Sequence, residues 1–578
     1  MRKRLLLFLS IVILILSSCK VTGGYSDTAN EDFNNFTEDL FCSQVCSDSL
    51  SLNYSLSHPE NYGIHTLPEG FSSFSYKDLS EQSLGFENLL ASMQEFDKKT
   101  LSYEQQILYD ILEDTLKTRI QGQNYLTFTE SLGPTTGIQA QLPVLLSEFR
   151  IDDTTDLSQY FALLRSIPHY FESLLSLEKS KISPGTLPCR STLSHIINQC
   201  ENYLGENGTA LLETAFNKKI SSCSFLSETE RADAIRKNHH LVRKKVVPAY
   251  QNLMAGLTTL IPSAGENGSL CSYSRGKSYY EYLVHSVTGS SLSIPEIQSH
   301  LKMLLKNARD TLISYAANDP SLFTTCQDYS GKFTSPEQIL STLKQCVSAD
   351  FPPAEGNSYT VKYVDEALED FLSPAFYLTP PLDDNENNII YINGADRYDT
   401  SSLFNTLAHE GYPGHLFQTC YMQKKNLPLL RYTLDYGGYT EGWASYAEIY
   451  SYKYTGASDG EVAILRSNMT AKLCLYGLSD IGIHYEGWDA DALYLFLNEY
   501  GTWDKNSITR LYDAIIDEPA SYLKYAVGYL EFTLLKEKFR EKDGKNYTDK
   551  RFHTFVLDMG TAPFDVLEAY IDKWIGNQ

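Results

Sequence analysis

Apolar residues recur at three- and four-residue intervals along most of this chain, and that periodicity restricts it to a body built mainly of helices. From residue 77 to about 121 the stripe runs through Leu79, Leu84, Phe86, Leu89 and Leu90, then Tyr103, Ile107, Leu108, Ile111 and Leu112. A second block opens at Asp156-Leu157-Ser158, a good helix start, and passes Tyr160, Leu163, Leu164 and Ile167 before Pro168, which should begin a new helix or kink this one. Further periodic runs cover 227–257, 294–316, 336–348 and 359–372, with turn-rich stretches such as Gly205-Glu206-Asn207-Gly208 between them. The main exception is Asn388-Ile389-Ile390-Tyr391-Ile392-Asn393, β-branched and aromatic, which reads as a short strand or hairpin. If it presents an edge, it can offer backbone groups to an extended peptide, with Tyr391 and Asn393 as substrate-binding candidates. Otherwise it is local structure.

The N-terminus carries Arg2-Lys3-Arg4, an apolar run from Leu5 to Leu16, and Leu16-Ser17-Ser18-Cys19. This is the pattern of a secretory signal, too short to span a bilayer, and the small residues before Cys19 fit lipoprotein cleavage. An ordinary signal peptide or short anchor would place the chain outside the cytoplasm as well. The expected layout is a lipoprotein signal peptide at 1–19 with Cys19 lipidated, a flexible spacer at 20–38, and a single helical body at 39–578. Within that body an N-terminal half would run to about 350 and a catalytic half from about 351. The expected location is the cell surface or extracytoplasmic face of a bacterial membrane.

Acidic residues number 72 against 48 basic ones, a formal charge of −24, which argues against nucleic acid and broad anionic surfaces as partners. Besides Cys19 there are ten cysteines, an even number that permits disulfides outside the cytoplasm; Cys200 with Cys223 or Cys326 with Cys346 would close short loops. There is no Cys-x-x-Cys pair, which disfavours a cysteine-built zinc site.

The chemistry concentrates at His409-Glu410-Gly411-Tyr412-Pro413-Gly414-His415, delivered by a helix starting near Asp399-Thr400-Ser401-Ser402. In the familiar His-Glu-x-x-His zinc motif the histidines are four apart on one helical face and the Glu between them is the base. Six residues on a regular helix advance about 600°, leaving the histidines about 120° apart and about 9 Å along the axis. One ion cannot be chelated that way, so the metal reading requires the helix to break or bulge at Gly411, Pro413 and Gly414. The alternative is a helix that ends at Gly411 beside two unrelated histidines. Glu441, opening Glu441-Gly442-Trp443-Ala444-Ser445-Tyr446-Ala447-Glu448, supplies a third candidate ligand, completing the two-histidine, one-carboxylate set of an open catalytic site. Glu448 shares its face and can either hold a liganding imidazole by its second nitrogen or be a solvated charge. Later in the chain, Asp480 and His484 stand four apart, and Tyr525 or Tyr522 can donate to an oxyanion.

Through these segments the sequence resembles the DUF885 family, bacterial secreted or lipoprotein-type proteins that look like zinc metallopeptidases. The pieces are HEGYPGH (409–415), EGWASYAE (441–448), DIGIH (480–484) and the Tyr525–Gly528 pattern. The resemblance implies a gluzincin-like helical fold in which His409, His415 and Glu441 bind one Zn2+ and Glu410 is the general base. Many members carry another His directly after the heptad, where this chain has Leu416, leaving His415 as the second imidazole. The expected function is therefore peptide hydrolysis by a zinc-activated water, with His484 and Tyr525 as catalytic donors and Asp480 and Glu448 supporting the site. Rival readings are a non-catalytic peptide-binding lipoprotein and a zinc hydrolase of a non-peptide amide.

Overall fold

Most residues of the apolar stripes are buried where helices meet, Leu84 being an exposed exception, and most of the chain is helical. The computed structural model describes residues 28–205, 208–326, 333–353, 358–364, 369, 373–384, 386–395 and 400–577. The stripe read from residue 77 becomes two helices, Tyr76–Met93 and Tyr103–Gly122, each opened by a capping box, Ser75 with Asp78 and Ser102 with Gln105. Asp153 caps the next helix, Thr154–Ser180, through the N–H groups of Thr155 and Asp156. Pro168 lies within that helix and starts no new one, because Leu163, Leu164 and Ile167 before it and Phe171 and Leu174 after it are all anchored in one core.

Three further expectations are corrected. The spacer ends earlier than residue 38, since the helix Thr28–Val45 begins inside it. Phe33 is fully buried, its ring 5.3 Å from Phe96 and 6.1 Å from Tyr109, so an apolar stripe lay hidden in a polar composition. Residues 1–27, with the signal segment and Cys19, lie outside the described residues. The run 359–372 is not helical where it begins: Thr360–Tyr363 forms strand β1, because a short β-branched and aromatic segment pairs more readily than it coils. Residues 365–368 and 370–372 lie outside the described residues. Finally, the ten cysteines from Cys42 to Cys474 are free thiols. Cys200 is enclosed in a core, whereas Cys223 turns its thiol to the Lys219 carbonyl.

Strands β2 (Ala375–Leu378) and β3 (Ile389–Ile392) complete a three-stranded sheet of order β1-β3-β2. β1 runs parallel and β2 antiparallel to β3, with Lys362 and Phe376 both in register with Tyr391. The strand read from the sequence is thus the central one, its backbone paired on both sides. The edge nearest the heptad is β2.

The largest core joins residues from Phe33 to Leu116 with others from Phe333 to Trp574, so packing does not divide near residue 350. The N-terminal helices instead pack directly against the segment that carries the His409–His415 heptad. A second core is built on Thr154–Ser180, and a third on Gly276–Thr288, Ile294–Asn318, Asp459–Ile481 and Leu523–Asp543. No described helix is long and apolar enough to cross a membrane.

Candidate metal centre

The helix Thr400–Glu410 buries Leu403, Phe404, Leu407 and Ala408 and ends on His409 and Glu410. The chain then breaks at Gly411–Gly414, through a cis Tyr412–Pro413 peptide, and His415 opens a new helix, His415–Gln423. Backbone bonds close the break, from Gly414 N–H to the Ala408 carbonyl at 3.0 Å and from Phe417 N–H to the Gly411 carbonyl at 3.2 Å. A Cβ on Gly414 would stand 1.8 Å from the His409 carbonyl oxygen, so only glycine fits there. The six-residue spacing is accommodated by two helices rather than one distorted helix. It brings the two imidazoles to 4.7 Å between centroids, nearly perpendicular at 87°.

Glu441 comes from the helix Gly437–Ser451. Trp443 of that helix is fully buried and donates its indole N–H to the Pro413 carbonyl at 2.9 Å, tying the heptad's turn to the Glu441 helix. On the other side Gly442 meets Gly528 backbone to backbone, since a Cβ on Gly442 would lie 2.5 Å from Gly528 Cα. That contact sets the helix Leu523–Asp543, with Tyr525 near its start, beside the Glu441 helix. Tyr525 lies with its ring 6.3 Å from that of His409.

Nε2 of His409 and Nε2 of His415 stand 3.3 and 3.5 Å from Oε2 of Glu441. Ligands about 2.0–2.1 Å from a tetrahedral zinc are separated by about 3.3–3.4 Å, so both histidine-to-Glu441 separations have the spacing of ligands to one ion. A charge-assisted hydrogen bond would be shorter, about 2.7–2.9 Å. Ligand atoms of His409, Glu410 and His415 all lie within 4.8 Å of one another. Glu448 Oε2 is 3.3 Å from His409 Nδ1, on the side of the ring away from Glu441. Glu410 accepts the Tyr377 N–H of β2 at 3.1 Å through Oε2. His409, His415, Glu410, Glu441 and Glu448 are each at most 5% exposed. Three buried carboxylates around two imidazoles would, when ionised, carry negative charge that is expensive to desolvate, and a divalent cation would compensate it. The residues present therefore fit a zinc ion.

Other expected site residues are placed elsewhere. His484 accepts the Leu270 N–H at Nδ1 (3.2 Å) and donates from Nε2 to the Ile515 carbonyl (2.9 Å), and burial pushes its pKa down to about 4. Both ring nitrogens are committed to backbone, which corrects the reading of His484 as a catalytic donor. Asp480 does not pair with it. Its Oδ1 accepts from the Tyr280 hydroxyl at 2.6 Å and the Ala520 N–H at 3.1 Å, and burial pushes the carboxyl up to about 7. Ala520 has a positive φ of 60°, so Asp480 anchors a left-handed turn just before the Tyr525 helix. The DIGIH segment thus fixes the connection into that helix. Tyr522 packs on Tyr476 with centroids 5.1 Å apart, leaving Tyr525 as the tyrosine beside His409. Tyr391 stacks on Phe376 at 4.9 Å and donates to Glu148 at 2.9 Å, while Asn393 bonds the Glu369 carbonyl at 2.8 Å and is buried. On a central strand neither offers an open edge, which corrects the substrate-binding reading. Sequence reasoning missed the Tyr377 N–H, which no side-chain pattern announces, and the Gly442–Gly528 contact, which two glycines in separate motifs do signal.

Two solved structures share this architecture. A protein from Colwellia psychrerythraea designated a lipoprotein matches with a TM-score of 0.78 at 17% identity, over 95% of this chain and 100% of that one. One from Shewanella oneidensis, designated a lipoprotein of unknown function, matches with a TM-score of 0.67 at 15% identity, over 94% and 99%. At such identities the likeness shows the fold alone. No curated protein matches the chain. The model of DUF885, described as a bacterial protein of unknown function, matches residues 62–571, and the chain belongs to that family.

Proposed function

We propose that this protein is a zinc-dependent peptidase, anchored by a lipid on Cys19 outside the cytoplasm. The observation that carries the reading is the convergence of His409 Nε2, His415 Nε2 and Glu441 Oε2 at 3.3 and 3.5 Å, with Glu410 alongside. Held by these three atoms, zinc would polarise a scissile carbonyl and acidify a water in its open position. Glu410, steadied by the Tyr377 N–H, takes the proton of the attacking water and delivers it to the leaving amine. Tyr525 donates to the oxyanion that develops on the former carbonyl. Glu448 accepts from Nδ1–H of His409 and so keeps Nε2 as the liganding nitrogen. The N-terminal pattern supports the anchor, as do the lipoprotein designations of the two structural relatives.

The test is Glu410→Gln, with zinc content and turnover of a peptide library measured on the same preparation. The expected result is undiminished zinc and a loss of about 10²–10⁴ in rate. Full activity would sink the mechanism. Peptide binding without chelator-sensitive turnover in the wild type would replace it with a binding lipoprotein, and turnover confined to non-peptide amides would change the substrate class.

A further inference from the structure

A helix packed against another usually turns apolar residues toward it. The helix Glu228–Leu241, prolonged by the π-helical turn Val242–Val246, buries Ala234 and Leu241 in the core that holds Leu212 and Phe216 of the helix Gly208–Ser222, but beside that contact its surface turns polar. There Arg236, His239, His240, Arg243 and Lys244, spaced three and four apart, line with Asn238 a recess of about 540 Å3. That volume falls within the roughly 300–1,000 Å3 of small-molecule sites. The other helix contributes one carboxylate, Glu213, which is engaged by His239 Nδ1 at 2.9 Å and Arg243 Nε at 3.5 Å. In a chain of formal charge −24, Arg236, Arg243 and Lys244 here face two carboxylates, Glu213 and the Asp233 that pairs with Arg236, which leaves a local excess of positive charge.

A second observation lies at the wall of the recess. Asn238 is 1% exposed, its Oδ1 accepts from the Tyr160 hydroxyl at 3.2 Å, and its Nδ2 has no hydrogen-bond partner among the described residues. Buried donors are nearly always satisfied, so this unpaired amide at the wall of a basic recess marks where an arriving acceptor would be held after a small movement of the wall, the nitrogen being closed to solvent as it stands. The π turn adds weight, because such turns are rare and concentrate at functional sites.

We infer that this recess binds a small phosphate-bearing molecule. A phosphoryl group carries a charge of about −1.5 to −2 and three strong acceptor oxygens, enough to engage the Arg243 fork, the Lys244 ammonium and the Asn238 amide together. The overall acidity of the chain opposes an extended polyanion, whereas a compact one enters the recess without meeting it.

Calorimetric titration of the mature chain with pyrophosphate and with glycerol 3-phosphate tests this, alongside vesicles of phosphatidylglycerol and of phosphatidylcholine. Saturable binding of at least one soluble phosphate is expected. The double variant Arg243→Gln/Lys244→Gln changes two exposed side chains and should weaken that binding by at least about tenfold. Asn238→Asp, with folding checked by circular dichroism, should weaken it likewise. Absence of saturation by either phosphate, wild-type affinity in the double variant, or binding to anionic vesicles only would each overturn the proposal.

Discussion

Trp443 donates its indole N–H to the carbonyl of Pro413 at 2.9 Å, and this single bond links the two motifs that form the candidate metal centre. The turn between His409 and His415 has no helix to support it, so its geometry depends on what packs against it. Trp443, also ringed by Phe351 at 5.9 Å and Phe532 at 5.9 Å, is that support.

Trp443→Phe keeps an aromatic ring but leaves the Pro413 carbonyl buried without this donor. The expected cost is about 2–4 kcal/mol, combining an unsatisfied carbonyl with a small cavity. Because the loosened turn positions His415, zinc affinity should fall along with stability. Denaturant titration and competition with a chelator measure the two effects. Unchanged zinc affinity in a destabilised variant would show that Trp443 supports the fold without ordering the site.

Glu448 stands 3.3 Å from His409 Nδ1 at the far side of the imidazole. In Glu448→Gln the charge that favours Nδ1–H is gone while the side-chain volume is kept. Zinc affinity should drop by about 10–100-fold with little change in thermal stability of the metal-free protein. Wild-type affinity would reduce Glu448 to a packing role.

Much of this was legible in the residues themselves. The helices at 76–93, 294–318 and 336–346 follow from stripes of leucine and isoleucine at helical spacing, and the need for a break between His409 and His415 follows from the geometry of six residues. What escaped depends on tertiary pairing. Thr360–Tyr363 has too few residues for its period to identify it, and it becomes a strand because β3 lies beside it. The i, i+4 spacing of Asp480 and His484 invited a pair. In the fold, however, Asp480 accepts from the Ala520 N–H and His484 bonds to Leu270 and Ile515, backbone partners that sequence spacing cannot reveal. Tyr525 and Tyr522 were equivalent in sequence, and the close backbone approach of Gly528 to Gly438 and Gly442 is what sets the Tyr525 helix beside the Glu441 helix.

Tyr525→Phe removes one hydroxyl beside His409 and leaves the ring. If that hydroxyl donates to the oxyanion, the rate should fall by about 10²–10³ with zinc content and KM nearly unchanged, because the lost bond belongs to the transition state. Steady-state kinetics with metal analysis checks this. A rise in KM at constant kcat would make Tyr525 a substrate-binding group instead.

Burial of Asp480 makes stability depend on pH in a definite direction. Its carboxyl, ordinarily near 3.8, is raised to about 7 in the folded chain, chiefly by desolvation and against hydrogen bonds from Tyr280 and Ala520 that favour the charge. Between those two values the folded state keeps a proton that the unfolded state has lost. Stability from this group is therefore greatest below pH 4 and declines as pH rises toward 7, by an amount on the order of a few kcal/mol. Glu531, buried and raised to about 7 by the same cause, adds to the decline. Asp480→Asn cannot ionise, so urea unfolding at pH 5 and pH 8 should show a smaller loss for the variant than for the wild type. An equal loss in both would mean that the turn at Ala520 is held by a carboxylate that ionises without penalty, and the cost of burying Asp480 would have to be compensated by the bonds it accepts.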